Sequence, residues 1–177
     1  IHAYRPSKHS LSQSQILLRN YTADEARLPM REMVESLVLE LLQIKAVTKC
    51  IHVHIGYAAE DLKSTGGSRT LAHYTDSFQE LCPAVLSLFD KYKRPHELIR
   101  RIAVSFEELV NKSAVPTEMD LFSDALDETE EKEEHIQQAM LNIKGRFGKN
   151  AILRASSLQE EGTMQFRNTL VGGHNGE

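Results

Sequence analysis

Three short runs set cations beside small hydroxyls. They are Lys8-His9-Ser10-Leu11-Ser12-Gln13-Ser14, closed by Arg19; Ser68-Arg69-Thr70; and Arg100-Arg101-Ile102-Ala103-Val104-Ser105. A phosphate needs a Lys or Arg for charge and a Ser or Thr hydroxyl, or a main-chain N–H, for position. The candidate phosphate contacts are therefore Lys8, Ser10, Ser12, Gln13, Ser14, Arg19, Ser68, Arg69, Thr70, Arg100, Arg101 and Ser105. Arg100 has the wrong parity for the face that carries Arg101 and Ser105, but it stands near the strand's start, where it could still reach out. The same residue types also make an ordinary solvated sheet face, and that alternative stays open at this point.

A different chemistry sits at Glu118-Met119-Asp120-Leu121-Phe122. Leu121 and Phe122 are large and apolar in a segment too polar to bury them, which suits insertion into an apolar pocket on a partner. The alternative is that they fold back on their own domain. His52 and His54, two apart with His73 on a neighbouring strand, could hold a metal, but no Cys or carboxylate completes the set. Surface or DNA-facing histidines are the better reading, and no metal site is assigned. No nucleophile–base pair or phosphate loop is visible, so a small enzyme is the weakest of the candidate functions.

The elements that must position these groups follow from periodicity. Ser10–Leu18 reads as a strand, with Ile16, Leu17 and Leu18 as its buried end. Thr22 and Glu25 form a capping box, but Pro29 falls inside the segment, so the regular helix is expected to begin near Leu28–Arg31. Met33, Val34, Leu37, Val38, Leu41 and Leu42 give it a broad core face. Thr48–Tyr57 alternates as a strand. A loop ending in Gly66-Gly67 leads to a third strand, Ser68–Tyr74, and Asp76 or Ser77 caps a helix carrying Phe78, Leu81, Cys82, Val85, Leu86 and Phe89. In the last strand Leu98, Ile102, Val104 and Phe106 are expected on one face with Arg100, and Ile99, Arg101, Ala103 and Ser105 on the other. The order β-α-β-β-α-β predicts an α+β fold: a four-stranded antiparallel sheet with two helices on one face and the other face open. An irregular and helical C-terminal tail follows. Its acidic run Asp127–Glu134 favours a helix start, and Ile136, Ala139, Met140 and Ile143 mark an apolar stripe that ends at Gly145 or Gly148. Residues 156–177 show no periodicity.

With 177 residues, the chain allows one ordinary domain and an appendage. Residues 1–113 carry 15 basic against 13 acidic side chains, and residues 114–177 carry 6 against 12, so the acidity belongs to the tail. A mildly basic front permits a nucleic-acid partner without requiring one. No apolar run is long enough to span a membrane and no signal core opens the chain, so a cytoplasmic protein without a membrane partner is expected. Cys50 and Cys82 read as reduced, small apolar residues.

Taken together, the element order, Ser68-Arg69-Thr70-Leu71, Arg100-Arg101-Ile102-Ala103-Val104-Ser105, Met119-Asp120-Leu121-Phe122, Arg146-Phe147-Gly148-Lys149-Asn150-Ala151-Ile152-Leu153-Arg154, and Arg167-Asn168 with Gly172-Gly173-His174 resemble the C-terminal part of Y-family translesion DNA polymerases, in the UmuC-like (ImpB/MucB/SamB) branch. The resemblance spans nearly the whole chain. It implies a little-finger domain over residues 10–110, preceded at 1–9 by a linker from catalytic domains, followed at 111–127 by a linker with a clamp-binding-like peptide and at 128–177 by an acidic helix and tail. It further implies a grip on primer–template double-stranded DNA, with Ser68, Arg69 and Thr70 matching the family's phosphate-binding strand, and a role in DNA repair and damage bypass. Recruitment of the sliding clamp would fall to Glu118–Phe122, where Glu118 replaces the usual Gln and Met119 the usual Leu. The fragment itself would hold no palm active site and no cofactor, while the parent polymerase would use Mg2+. The tail helix could pack on the little finger, on the catalytic domains or on a second copy as a dimer. A non-DNA-binding α+β interaction or dimerisation domain is the alternative function.

Overall fold

The computed structural model describes residues 10–115, 124–171 and 174–175, with side chains left undescribed at 124–130, 171, 174 and 175. The main elements are β1 (Ser10–Tyr21), α1 (Ala23–Ile44), β2 (Ala46–Tyr57), β3 (Thr65–Thr75), α2 (Phe78–Tyr92) and β4 (Ile99–Glu107). After them come β5 (Val110–Asn111), a 3-10 turn at Lys112–Ala114, α3 (Asp124–Phe147), a 3-10 turn at Ala155–Leu158, α4 (Met164–Arg167) and the pair β6 (Leu170–Val171) and β7 (His174–Asn175). The sheet is antiparallel in the order β1-β4-β2-β3, with β5 on the end of β2. The expected α+β fold is therefore the observed one.

Alternation builds the core. Ile51, Val53 and Ile55 of β2 and Ile102, Val104 and Phe106 of β4 are fully buried, and they meet Met33, Leu37 and Leu41 of α1 and Leu81, Val85 and Phe89 of α2. Both helices lie on that one face. Ser77 caps α2 by accepting the Glu80 amide.

Several boundaries differ from the sequence reading, each for a local reason. The first helix begins at Ala23, not near Leu28, and carries Pro29 within it. The capping box holds this first turn: the Thr22 N–H donates to Glu25 Oε2 at 2.7 Å, and the Glu25 N–H donates to Thr22 Oγ1 at 3.3 Å. Pro29 lies past the first turn, so the helix gives up one interior hydrogen bond there, the one that would reach the Glu25 carbonyl. Gly66 and Gly67 belong to β3 instead of ending the loop. A Cβ on Gly66 would lie 2.2 Å from the Val53 carbonyl oxygen, and one on Gly67 would lie 2.4 Å from the Tyr92 ring, so strand pairing and helix packing both require glycine there. Of the three apolar residues in the first strand, only Leu17 is buried; Ile16 is 60% and Leu18 54% exposed. Strand alternation cannot turn three consecutive side chains to one face. In β4 the expected faces slip by one at the start. Gly56 pairs with Arg101 and Tyr57 with Ile99, leaving Arg100 as an extra residue in a bulge. Ile99 is thereby fully buried and Leu98 is 43% exposed, the reverse of the alternating prediction.

Between residues 155 and 171, where the sequence shows no periodicity, the tail holds short elements, the 3-10 turn at Ala155–Leu158, α4 and β6. It packs against α1 and reaches β1, where the Tyr21 hydroxyl donates to the Glu161 carbonyl at 3.3 Å. Gln137 and Met140 of α3 are buried, and α3, the 155–158 turn and α4 all contact α1. Of the expected apolar stripe only Met140 is buried against this chain; Ile143 is half-buried, and Ile136 and Ala139 stay exposed because the buried face runs through 137 and 140. Polar groups supply what the tail lacks in apolar surface. Glu32 Oε2 accepts hydrogen bonds from Thr163 N–H (2.8 Å), Thr163 Oγ1 (3.1 Å) and Met164 N–H (2.8 Å). Arg154 Nε donates to Glu35 Oε2 at 2.6 Å, and its guanidinium lies 4.3 Å from the centre of the Phe78 ring. Gly148, at φ 95°, ends α3 with its N–H on the Lys144 carbonyl, as its position in the sequence suggests.

Candidate nucleic-acid interface

The sheet face away from the helices carries no layer of secondary structure among the described residues. Its side chains fall in rows across the strands. One row runs Ser12, Ser105, His52, Ser68; the next runs Ser14, Ala103, His54, Gly66. Beyond them lie Ser10, Glu107, Cys50, Thr70 on one side and Ile16, Arg101, Gly56 on the other. With strands about 4.8 Å apart, each four-strand row makes a band of short side chains. Gly56 has a structural part in this face. A Cβ there would lie 3.1 Å from the Cβ of Arg101, so the glycine leaves room for the arginine's stem.

Seven of the twelve candidate phosphate contacts fall on this face: Ser10, Ser12, Ser14, Ser68, Thr70, Arg101 and Ser105. The others do not. Gln13 shares the parity of Leu11 and Leu17, toward the helices, because its odd number places it on the core side of β1. Arg69 pairs with the buried Ile51, which puts it on the helix side of the edge strand β3, where it stays exposed. Arg100 sits half-buried in the bulge. Arg19 is already engaged: its Nη2 donates to Glu25 at 2.8 Å and its guanidinium lies 4.5 Å from the centre of the Tyr21 ring. That bond, joined by the Thr22 amide, holds the Glu25 carboxyl at about 2. Lys8 and the peptide Glu118–Phe122 lie outside the described residues.

Three features were not singled out from the sequence. Glu107 places a carboxylate on the open face, in the row of Ser10. The period of two in β4 could have shown it, since Glu107 continues the parity of Arg101 and Ser105. Lys144 and Lys149 come from the tail. Together with Arg101, Ser12 and Ser14 they line a groove of about 1290 Å³ that runs along the β1 edge. No local pattern announces these two lysines, because only tail docking brings them to the sheet edge. Lys144 donates to the Lys149 carbonyl at 3.2 Å. Burial lowers its pKa, and repulsion from Arg167 and Arg154 adds to that, against the attraction of Glu35.

Among the described residues no three His, Cys, Asp or Glu side chains come together to hold a metal ion. His52, His54 and His73 are not a metal set, as His73 Nε2 lies 2.9 Å from Glu80 instead. The described residues do not fit a Mg2+ site. Among the described residues no helix is long and apolar enough to cross a membrane.

An antiparallel sheet backed by two helices, with a polar open face, defines an α+β domain of the kind the element order predicts. The chain belongs to the impB/mucB/samB family, whose C-terminal domain matches residues 8–121. Two relatives illustrate the match. UvrX of Bacillus subtilis (strain 168), whose name describes it as a UV-damage repair protein, is 30% identical over 169 residues, covering 93% of this chain and 38% of the relative. DNA polymerase IV of Bacillus velezensis is 32% identical over 125 residues, covering 70% of this chain and 29% of the relative. The chain thus spans roughly a third of the length of these relatives. Among solved structures, the little finger domain of PolIV in complex with the β-clamp processivity factor is 12% identical, covering 64% of this chain and 99% of that one with a TM-score of 0.46. A DinB family error-prone DNA polymerase from Sulfolobus solfataricus is 13% identical, covering 58% and 30%, with a TM-score of 0.47.

Proposed function

We propose that this domain grips the phosphates of double-stranded primer–template DNA through its open sheet face, as the C-terminal part of a translesion DNA polymerase. The observation that carries this reading is the row Ser12, Ser105, His52, Ser68, a band of hydrogen-bonding side chains free of carboxylates across four strands, with the row of Glu107 next to it on one side and Arg101 two rows away on the other. Short hydroxyls let a phosphate approach the sheet closely, and such contacts carry no base information, as a polymerase that copies every sequence requires. Lys144 and Lys149 extend the positive charge beyond the β1 edge. Membership of the family and the DNA polymerase IV relatives support the assignment to DNA repair. The Mg2+-dependent nucleotidyl transfer of a polymerase belongs, on this reading, to the longer protein, and residues 10–171 supply grip. Glu118–Phe122 would recruit the sliding clamp, with Leu121 and Phe122 as apolar anchors.

Fluorescence anisotropy of a labelled primer–template across a salt series tests the grip. Affinity should fall steeply with salt, and Arg101→Glu should reduce the log–log slope by about 0.9 or more. Arg69→Glu, on the other side of the sheet, should change it less. Absence of binding at low salt would remove the reading and leave an interaction domain that pairs through its sheet, which sedimentation would then show as a dimer. Loss of clamp capture in a Leu121→Ala/Phe122→Ala variant, with DNA affinity retained, is the outcome expected for the peptide.

A further inference from the structure

We propose that His52 and His54 are themselves phosphate-contacting residues at the centre of the open face, so that the domain holds DNA more tightly as they take up protons. The proposal rests on the phosphate-grip reading above and assigns it two further residues. Both histidines lie on β2, an interior strand of the sheet, and their neighbours in the rows are short. His52 has Ser12 and Ser105 on one side and Ser68 on the other; His54 has Ser14 and Ala103 on one side and Gly66 on the other. The two imidazoles are the longest side chains in their rows and are partly exposed among these short neighbours. Neither ring has a hydrogen-bond or ion-pair partner among the described residues, whereas His73 is tied to Glu80.

The charges facing the pair are few. From β4, Arg101 lies one row beyond His54 and Glu107 one row beyond His52, one of each sign. The open-face residues of β1, Ser10, Ser12 and Ser14, are uncharged, as are Ser68 and Thr70 of β3. On β2 itself the same face adds only the Cys50 thiol, which burial first, and Glu107 next, push up toward the neutral form. Lys49 lies instead 5.6 Å from the centre of the Tyr74 ring. Imidazole is the side chain that changes charge near physiological pH. Each protonated ring adds one cation to a phosphate footprint that otherwise has Arg101 at its margin.

The test is anisotropy of the whole chain with a labelled duplex of random sequence, from about pH 8 down to about pH 5.5, with a salt series at each pH. Binding should tighten on the order of tenfold, and the log–log salt slope should steepen by about 1.8, about 0.9 per added cation. His52→Gln/His54→Gln should abolish both changes, each single variant should remove about half of the slope change, and His73→Gln should leave both in place. A pH effect that survives in the double variant overturns the proposal, as does a wild type that binds with an unchanged slope. Failure to bind at any pH and low salt would instead remove the phosphate grip itself, and this proposal with it. A urea midpoint for each variant matching the wild type establishes that the fold is intact.

Discussion

Replacing Glu32 tests whether the tail is held by hydrogen bonds to one buried carboxylate. Glu32 is 2% exposed, and its Oε2 accepts from the Thr163 N–H, the Thr163 hydroxyl and the Met164 N–H. Thr163 and Met164 are 0% and 1% exposed, so their amides have no water to turn to when the carboxylate is removed. An unsatisfied buried donor costs about 1–3 kcal/mol. Two stranded amides therefore place Glu32→Ala at about 3–5 kcal/mol, the range found when one partner of a buried charged network is deleted, while the Thr163 hydroxyl keeps Gln15 Oε1 as an acceptor at 3.1 Å. Glu32→Gln keeps an acceptor oxygen of the same size and loses only the charge assistance, so about 1–2 kcal/mol is expected. The cost has a ceiling. Once it exceeds the free energy of docking the tail, residues 155–169 will detach and the sheet and helices will remain folded. Urea unfolding gives the total, and amide hydrogen exchange at Thr163 and Met164 gives the local opening. If Glu32→Ala unfolds within about 0.5 kcal/mol of wild type, as an ordinary surface change would, and both amides remain protected, the carboxylate is not what holds the tail.

Other perturbations probe the sheet and the first helix. Leu17→Ala should cost about 2–5 kcal/mol and Ile16→Ala under about 0.5 kcal/mol, a contrast between adjacent residues readable from paired urea midpoints. Gly67→Ala would drive a methyl into the Tyr92 ring and should lose about 1–3 kcal/mol, with Tyr92 fluorescence reporting the displaced ring. Glu25, held at about 2 chiefly by its hydrogen bond to Arg19, has a folded value below the unfolded one of about 4.3. Its contribution is therefore complete above the unfolded value and is lost as pH falls from there toward 2. Because the pair is solvent-facing, about 1 kcal/mol is expected, and the stability difference between wild type and Glu25→Gln should shrink across that window in acid titrations followed by circular dichroism.

The sheet and its two helices were legible because their residues alternate or repeat on one period over long stretches. Ile51, Val53 and Ile55 could only be one face of a strand, and Leu81, Val85 and Phe89 one face of a helix. What period alone could not give was pairing. The bulge at Arg100 depends on Gly56 in another strand, so the start of β4 read one residue out of phase and buried Leu98 in place of Ile99. Arg69 likewise looks like a phosphate contact beside Ser68 and Thr70, yet register with Ile51 sends it to the helix side while its two neighbours go to the open face. A strand divides every contiguous motif between two faces, so a run of three suitable residues offers at most two to one surface.

The tail escaped sequence reading for another reason. Its attachment relies on Glu32 and Glu35 of α1, residues whose charge marks them for the solvent side of an amphipathic helix. They are buried because a segment more than a hundred residues later supplies Thr163, Met164 and Arg154 as partners. That arrangement explains why α1 is buried on more sides than its apolar stripe would allow. It also ties the tail to the function proposed for the sheet. The same docking that satisfies Glu32 and Glu35 carries Lys144 and Lys149 to the β1 edge, into one groove with Arg101, Ser12 and Ser14. A tail released by Glu32→Ala should therefore weaken DNA binding at the sheet edge, although Glu32 itself belongs to α1 and meets the tail beside Gln15, on the helix side of β1.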